Sequence, residues 1–243
     1  MTLSILRPKN QLLTLIPDAE WQRWRPALEL IELPTGKVLH ESGEPLGHVY
    51  FPLDAIVSVC CFTANGGMTE VALVGREGVA GISGLMGGGA ANSRSVLLNG
   101  GTALRMRSSL IKDDFSHPGP VQGLMLRYIQ ALIAQIGQTA VCNRHHSVDQ
   151  ALSRWLLLCL DRAPDGDLAM TQELMANMLG VRREGVTDAA LKLQRAGLIR
   201  YSRGHITVID REGLEHLSCE CYRAVKDEYD RLLHPKQTTD VSA

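Results

Sequence analysis

At 243 residues the chain can form one large domain or two modest ones, and its 45% apolar and 21% charged residues are ordinary for a globular protein. No apolar run approaches the roughly 18 residues that span a membrane, and the first residues lack the pattern of an export signal, so a cytoplasmic protein is expected. The net charge of −1 excludes an overall basic field and restricts any nucleic-acid contact to a locally basic surface.

The six cysteines are too few for a disulfide framework in a chain of this size. Cys60 and Cys61 are neighbours on a predicted strand, so their side chains point to opposite faces. Cys219 and Cys221 fall on a predicted helix, about 200° apart around its axis. Because neither pair can chelate an ion unaided, the sequence predicts free, partly buried thiols and no metal site. A redox-sensing thiol is the alternative.

The sequence pattern in the first part of the chain changes from helical to β-rich at Leu33. Helical patterns over residues 10–31, capped by Asn10, precede short β-rich segments that Gly, Pro and Asn interrupt at close intervals. The triplet Asn65-Gly66-Gly67 separates two of these segments and is a strong hairpin signal. The regular spacing predicts a small antiparallel barrel or jelly roll, with another all-β sandwich as the alternative.

A proline-free helix of about seven turns is predicted from about Gly119 to Arg144. It carries two apolar stripes with helical spacing, so one stripe is expected to cover the β-rich part and the other to meet a partner helix. The predicted dimer interface consists of Val121, Leu124, Tyr128, Leu132, Gln135 and Cys142.

The segment from Thr171 to Gly197 indicates a helix-turn-helix. Thr171 caps a first short helix, and Gly180 permits the left-handed turn that leads to a second helix. Two short strands about Arg203-Gly204 follow and predict a wing. After the wing, Asp210 caps a last helix that is expected to run to Leu233.

Polar side chains at the start of the second helix are candidates for DNA contact. Its apolar residues face inward, which leaves the N-terminal turns free to enter a major groove. Between Thr171 and His205, six Arg or Lys residues outnumber three acids. The alternative is a helical hairpin with a solvated charged face. The predicted DNA-binding residues are Thr171, Gln172, Arg182, Arg183, Glu184, Thr187, Asp188 and Arg203.

These features together resemble the Crp/Fnr family of bacterial transcription regulators over nearly the whole chain. The most specific match is GVRREGV (residues 180–186), which is similar to the family's Gly-Val-Ser-Arg-Glu-Thr-Val. The resemblance implies that Arg183 and Glu184 read bases and leaves Arg182 as a phosphate contact. A further base-contacting arginine of the family falls at Asp188, so a different operator is expected.

The fold class implied is α+β, with an N-terminal antiparallel, jelly-roll-like β-roll, a long dimerisation helix and a C-terminal winged helix-turn-helix. The expected boundaries are 1–117 for a cyclic-nucleotide-binding-like sensor domain, 118–146 for the dimerisation helix, and 147–235 for the DNA-binding domain with an extra C-terminal helix. The partners implied are double-stranded DNA, a second copy of the chain and RNA polymerase, without a membrane.

The resemblance also places an effector pocket at Gly81, Ile82, Arg94 and Ser95. Arg94-Ser95 is similar to the pair that binds a cyclic phosphate in the family. Ile82 stands where the family has a ribose-binding glutamate, and an unpaired ribose hydroxyl costs roughly 1–3 kcal/mol. The usual cyclic AMP binding is therefore not expected; no cofactor is evident, and the small-molecule effector is unknown.

Two other function classes fit the sequence less well. A small-molecule or redox sensor could signal through protein contacts without DNA, but the adjacent arginines and the wing argue against it. A cupin-type metalloenzyme needs two closely spaced histidines, a carboxylate and a later histidine, and this cluster is not present between Leu33 and Arg107.

Overall fold

A computed structural model of the chain describes residues 9–87, 89–163, 167–202 and 204–234. The fold is α+β, as predicted. None of the described helices combines the length and the apolarity that crossing a membrane requires. The N-terminal elements are α1 (Gln11–Thr14), α2 (Asp18–Trp24), β1 (Glu29–Leu33), β2 (Val38–His40), β3 (His48–Pro52), β4 (Ile56–Phe62), β5 (Met68–Val74), β6 (Arg94–Asn99), β7 (Gly101–Arg107) and α3 (Ser108–Ser116).

The strands form two antiparallel sheets, in the orders β1-β7-β3 and β2-β6-β4-β5. Asn65 and Gly66 lie in the turn between β4 and β5, where Gly66 has a φ of 86°, so the predicted hairpin is confirmed. Alternate residues of the strands point inward, and Phe51, Ile56, Leu73 and Leu104 are buried in the shared core.

The second half of the chain is mostly helical. Its elements are α4 (Pro120–His145), α5 (Val148–Leu160), β8 (Asp167–Ala169), α6 (Gln172–Leu179), α7 (Arg183–Arg195), β9 (Ile199–Ser202), β10 (His205–Val208), α8 (Arg211–Leu217) and α9 (Cys221–Leu233). The short strands form a third sheet in the order β8-β10-β9. Helix α9 lies along α4, with Cys221 beside Gln138 and Glu228 beside Gln130, so the two helices are antiparallel.

The last helix was predicted as one piece and is in fact two. Ser218 ends α8 with an extended backbone (ψ 158°), and Cys219 and Glu220 form the turn that leads into α9. Cys219 and Cys221 are therefore not on opposite sides of one helix. The serine hydroxyl hydrogen-bonds back to the carbonyl of Glu215, which offers the backbone an alternative to helix continuation.

A buried carboxyl group joins the β-sheet to the helical half. Glu70 of β5 accepts hydrogen bonds from Ser58 Oγ at 2.5 Å and from Trp155 Nε1 of α5 at 2.7 Å. The Ser58 hydroxyl also lies 3.2 Å from Met178 Sδ of α6. Burial raises the pKa of Glu70 to about 7, although both hydrogen bonds and the charges of Arg154 and Arg162 lower it.

This raised pKa predicts a pH-dependent stability. Between the ordinary pKa of 4.5 and about 7, the folded chain retains the Glu70 proton that the unfolded chain releases, so stability from this group falls as pH rises through that window. Glu70→Gln removes the ionisation. We expect the variant to match the parent near pH 5 and to exceed it near pH 8 by up to about 3 kcal/mol in urea unfolding. An unfolding difference that does not change with pH would contradict this assignment.

Candidate nucleic-acid interface

The helix-turn-helix is built from α6 and α7. Thr171 caps α6 by accepting a hydrogen bond from the amide of Leu174 at 3.1 Å, as predicted. Gly180 ends α6 in the left-handed conformation, with a φ of 65°. Val186, Ala189, Ala190 and Leu193 of α7 are buried against α5 and α6, so the opposite face of α7 is left to solvent.

The N-terminal end of α7 presents charged side chains to solvent. Arg182, Arg183, Glu184 and Asp188 are exposed. Arg182 occupies the N-cap position without a side-chain cap, so its guanidinium is not held by the helix terminus. This charged, unobstructed helix end matches what a major groove can accept.

Gln172 and Thr187 form the contact between the two helices. The Thr187 hydroxyl lies 2.9 Å from Gln172 Oε1 and 3.0 Å from the carbonyl of Arg183, and it can donate to either oxygen. Both side chains are half-buried. This contact fixes the start of α6 relative to the first turn of α7, so a phosphate-binding role for Gln172 requires its remaining amide N–H groups.

The predicted wing corresponds to β9 and β10, which pair from Ile199–Val208 to Ser202–His205. Arg203 lies outside the described residues, as does the predicted domain end at residue 235. Tyr201 of β9 donates its backbone N–H to Gln194 of α7 at 2.9 Å, which ties the wing to the candidate DNA-contacting helix.

The α4 residues predicted to form a dimer interface are covered by the chain itself, so they are not available to a partner in this structure. Val121, Leu124, Tyr128, Gln135 and Cys142 are buried inside the chain itself, and Leu132 is half-buried. Tyr128 donates to the carbonyl of Val79 and Gln135 donates to that of Leu73, so this stripe covers the β-roll and α9.

The exposed apolar face of α4 is different. Ile133 is 62% exposed and Leu126 is 51% exposed, one heptad apart, and Ile136 and Val141 extend the surface. A seven-residue interval joins Leu126, Ile133 and Ala140. This spacing places the three residues on one face of α4, and the prediction overlooked it. We call Leu126, Ile133 and Ile136 the outer stripe.

Three of the four predicted effector residues line one cavity of about 310 Å³ between the β-roll and α4. Gly81, Ile82 and Ser95 contribute to its wall, together with Ile133 and Ile136 of the outer stripe. Arg94 does not line it, which corrects the prediction. Consecutive strand residues point to opposite faces, and the Arg94 guanidinium instead pairs with Glu41 at 2.8 Å and lies 4.6 Å from the centre of the Phe62 ring.

Comparison with known proteins agrees with this architecture. Residues 150–217 match the family model of the Crp-like helix-turn-helix domain. No curated protein sequence gave a significant match to the chain.

Solved structures with the same fold cover most of the chain. A protein of Eubacterium rectale assigned to the Crp/Fnr family of transcriptional regulators has 18% identity and a TM-score of 0.67, covering 85% of this chain and 96% of its own. FixK2 from Bradyrhizobium japonicum has 16% identity and a TM-score of 0.65, with coverages of 79% and 98%. The c-di-GMP-responsive regulator CLP of Xanthomonas campestris has 16% identity and a TM-score of 0.62, with coverages of 79% and 99%.

The turn at Gly180 supplies a stability test of this site. An alanine Cβ there would adopt a disfavoured left-handed backbone and lie 2.7 Å from Thr69 Oγ1 of β5. We expect Gly180→Ala to lower the free energy of unfolding by about 1–2 kcal/mol.

Gly185→Ala is the matched control for Gly180→Ala. Gly185 lies inside α7, and its added Cβ would have Val148 Cγ2 as its nearest neighbour, at an ordinary 3.8 Å. We expect this substitution to raise stability by up to about 1 kcal/mol, because alanine favours a helix interior. Equal effects at the two glycines in denaturant titrations would show that neither the backbone nor the Thr69 contact matters.

Proposed function

Since the chain carries a Crp-like helix-turn-helix domain on the fold of the Crp/Fnr regulators, we propose that it is a sequence-specific DNA-binding transcription regulator that acts as a homodimer. The observation that carries the proposal is α7, whose apolar face is packed on α5 and α6 while its charged N-terminal turns are exposed. RNA polymerase is a partner that this role would involve.

Each candidate DNA-binding residue has a role that its chemistry supports. Arg183 reads guanine through two parallel hydrogen bonds, and Glu184 accepts from the amino group of cytosine. Arg182, one residue before the helix, contacts a phosphate. Thr171 and Gln172 hold the backbone near the start of α6, and Arg203 contacts the backbone or minor groove from the wing.

Thr187 and Asp188 set limits on what the helix can read. The Thr187 hydroxyl is already hydrogen-bonded within the domain, so its methyl group is the part available to a base. Asp188 places a negative charge on the exposed face of α7 and favours a cytosine amino group over a phosphate or a guanine.

A homodimer forms through the outer stripe of α4. Exposed isoleucine and leucine side chains in heptad spacing favour pairing of two such helices. A two-fold axis along the paired helices would present two copies of α7 to half-sites about one helical turn, ~34 Å, apart.

The cavity beside the outer stripe binds an uncharged, largely apolar effector. Its wall is mainly aliphatic, and its polar side chains are Ser83, Asn92, Ser93 and Ser95, with no charged group among the lining residues. A cyclic phosphate has no cationic partner there, because Arg94 is turned toward Glu41. Ile133 belongs to both the cavity and the outer stripe, so an occupied cavity can alter how two copies pair.

Arg183→Ala tests the DNA-contact assignment. Fragments selected by the parent protein from random DNA supply the operator, and fluorescence anisotropy at fixed salt measures affinity. We expect a loss of about 1–3 kcal/mol and a relaxed preference at one base position. Arg223→Ala, an exposed arginine on α9, is the control and should leave both unchanged. Equal binding by the parent and the Arg183 variant would remove Arg183 from the interface, and absence of salt-dependent binding altogether would favour a sensor that acts through protein contacts.

Ile133→Asp tests the dimer. A carboxylate placed in the outer stripe would meet its symmetry copy, so we expect the variant to have the monomer mass in light scattering at micromolar concentration. Leu30→Asp is the control, because Leu30 is 56% exposed on β1, away from α4. A monomeric parent, or a variant that keeps the dimer mass, would overturn the role of the outer stripe.

A further inference from the structure

Four potential metal ligands meet where α4 ends. Cys142 and His146 come from the last turn of α4 and its C-cap, Cys219 from the α8–α9 turn, and Cys221 from the first residue of α9. Their ligand atoms all lie within 4.8 Å of one another, and three of the four residues are buried. We call these four residues the thiol–histidine cluster.

Two features of the sequence bring the four residues of the cluster together. Cys142 and His146 are four residues apart, so they project from the same side of α4. The break at Ser218 turns Cys219 and Cys221 toward one point, and the antiparallel packing of α9 on α4 brings that point to the end of α4. Sequence reasoning treated the cysteines pair by pair and missed this; the Cys-x3-His and Cys-x-Cys spacings were the available signal.

Two of the interatomic distances are close to those around one tetrahedral metal ion. Cys142 Sγ and Cys219 Sγ are 3.6 Å apart, and Cys221 Sγ is 3.4 Å from His146 Nδ1. Zinc–sulfur bonds of about 2.3 Å and zinc–nitrogen bonds of about 2.0 Å at tetrahedral angles imply a sulfur–sulfur separation of about 3.8 Å and a sulfur–nitrogen separation of about 3.5 Å. A disulfide would require sulfurs about 2.05 Å apart, and an iron–sulfur cluster would separate its ligands by the width of the cluster.

Groups around the cluster fit ligands that are deprotonated. His146 Nε2 lies 3.3 Å from the carboxylate of Glu220, which fixes the ring with Nδ1 toward the sulfurs. Gln138 donates its amide N–H to Cys221 Sγ at 3.1 Å. This carboxylate–histidine arrangement is the usual support of a zinc-bound imidazole.

A buried cation completes the surroundings. Arg154 of α5 is only 3% exposed, and its Nε has no hydrogen-bond partner among the described residues. Its Nη1 makes a 3.4 Å hydrogen bond to Thr139, one turn before Cys142, and its charge acts on Cys142 and Cys221. Arg154 acts on the Glu70 carboxyl but forms no ion pair among the described residues, so a negative charge at the cluster would stabilise its buried guanidinium.

We propose that Cys142, His146, Cys219 and Cys221 bind a single structural zinc ion. On binding, three thiols release their protons and the neutral imidazole supplies its Nδ1 lone pair, so three thiolates and Zn²⁺ leave a net charge of −1 beside Arg154. With four protein ligands the ion has no open position, which assigns it to structure and not to catalysis. The ion links the end of α4 to the α8–α9 turn, and this inference goes beyond the proposed function because zinc content does not depend on DNA binding.

Metal analysis of the full-length chain, purified without chelator from zinc-supplemented cells, tests the site. We expect on the order of one zinc per chain by plasma mass spectrometry, and loss of most of it in Cys142→Ser and Cys221→Ser. Cys61→Ser is the control and should keep its zinc, because Cys61 is an exposed residue of β4 outside the cluster.

Two further measurements distinguish loss of a zinc ligand from unfolding of the variant. His146→Cys retains four ligands, so it should keep its zinc, and its Co²⁺ form should show stronger thiolate-to-cobalt absorption than the Co²⁺ form of the parent. Removal of zinc with a chelator should lower the Tm of the parent. It should lower the Tm of the Cys61→Ser control by the same amount.

The proposal is overturned by any of three outcomes. These are a parent without zinc, a Cys142–Cys219 disulfide in the mass spectrum of the purified chain, and iron with acid-labile sulfide in place of zinc.

Discussion

Helix α4 packs against the β-roll and against the α8–α9 turn at the same time, and the rest of the structure depends on this double contact. Tyr128 and Gln135 donate hydrogen bonds to carbonyl groups of the β-roll, while Cys142 is buried at the junction with the α8–α9 turn. These contacts fix the rotation of α4 about its own axis, because a buried polar side chain that lost its partner would cost about 1–3 kcal/mol. The outer stripe is therefore what remains exposed, and its neighbour is the cavity that shares Ile133 and Ile136.

Local signals predicted most of the elements. The hairpin at Asn65 and Gly66, the cap at Thr171 and the left-handed turn at Gly180 depend on neighbouring residues alone, and all were predicted correctly. The exposed face of α4 was not predicted. Residues of both predicted stripes, Tyr128 and Ile129 among them, are buried, because the distant α9 and the β-roll decide which apolar residues are covered. Arg94 was misplaced for a different reason: it precedes Ser95 on β6, and strand alternation turns it away from the cavity toward Glu41.

The β-roll and the helical half of the chain are joined by polar contacts as well as by apolar packing. Glu70 lies between Ser58 of the sheet and Trp155 of α5, and Glu77 pairs with the buried Arg162 at the end of α5 at a distance of 2.8 Å. Polar links of this kind require accurate geometry, so they favour one arrangement of the two halves over neighbouring ones. A ligand in the proposed effector cavity would act on α5 and α6 through β5, the strand that carries Glu70 and Thr69.

The close approach of Gly180 to Thr69 limits how DNA recognition can be adjusted. The turn between α6 and α7 lies directly against β5, and α4 passes to α5 through only His146 and Ser147. The helix-turn-helix consequently has little freedom to move relative to the β-roll and α4. In the proposed dimer, the distance between two copies of α7 would then depend on how whole subunits are inclined across their shared axis, and discrimination between operators of different spacer length would be a property of subunit orientation.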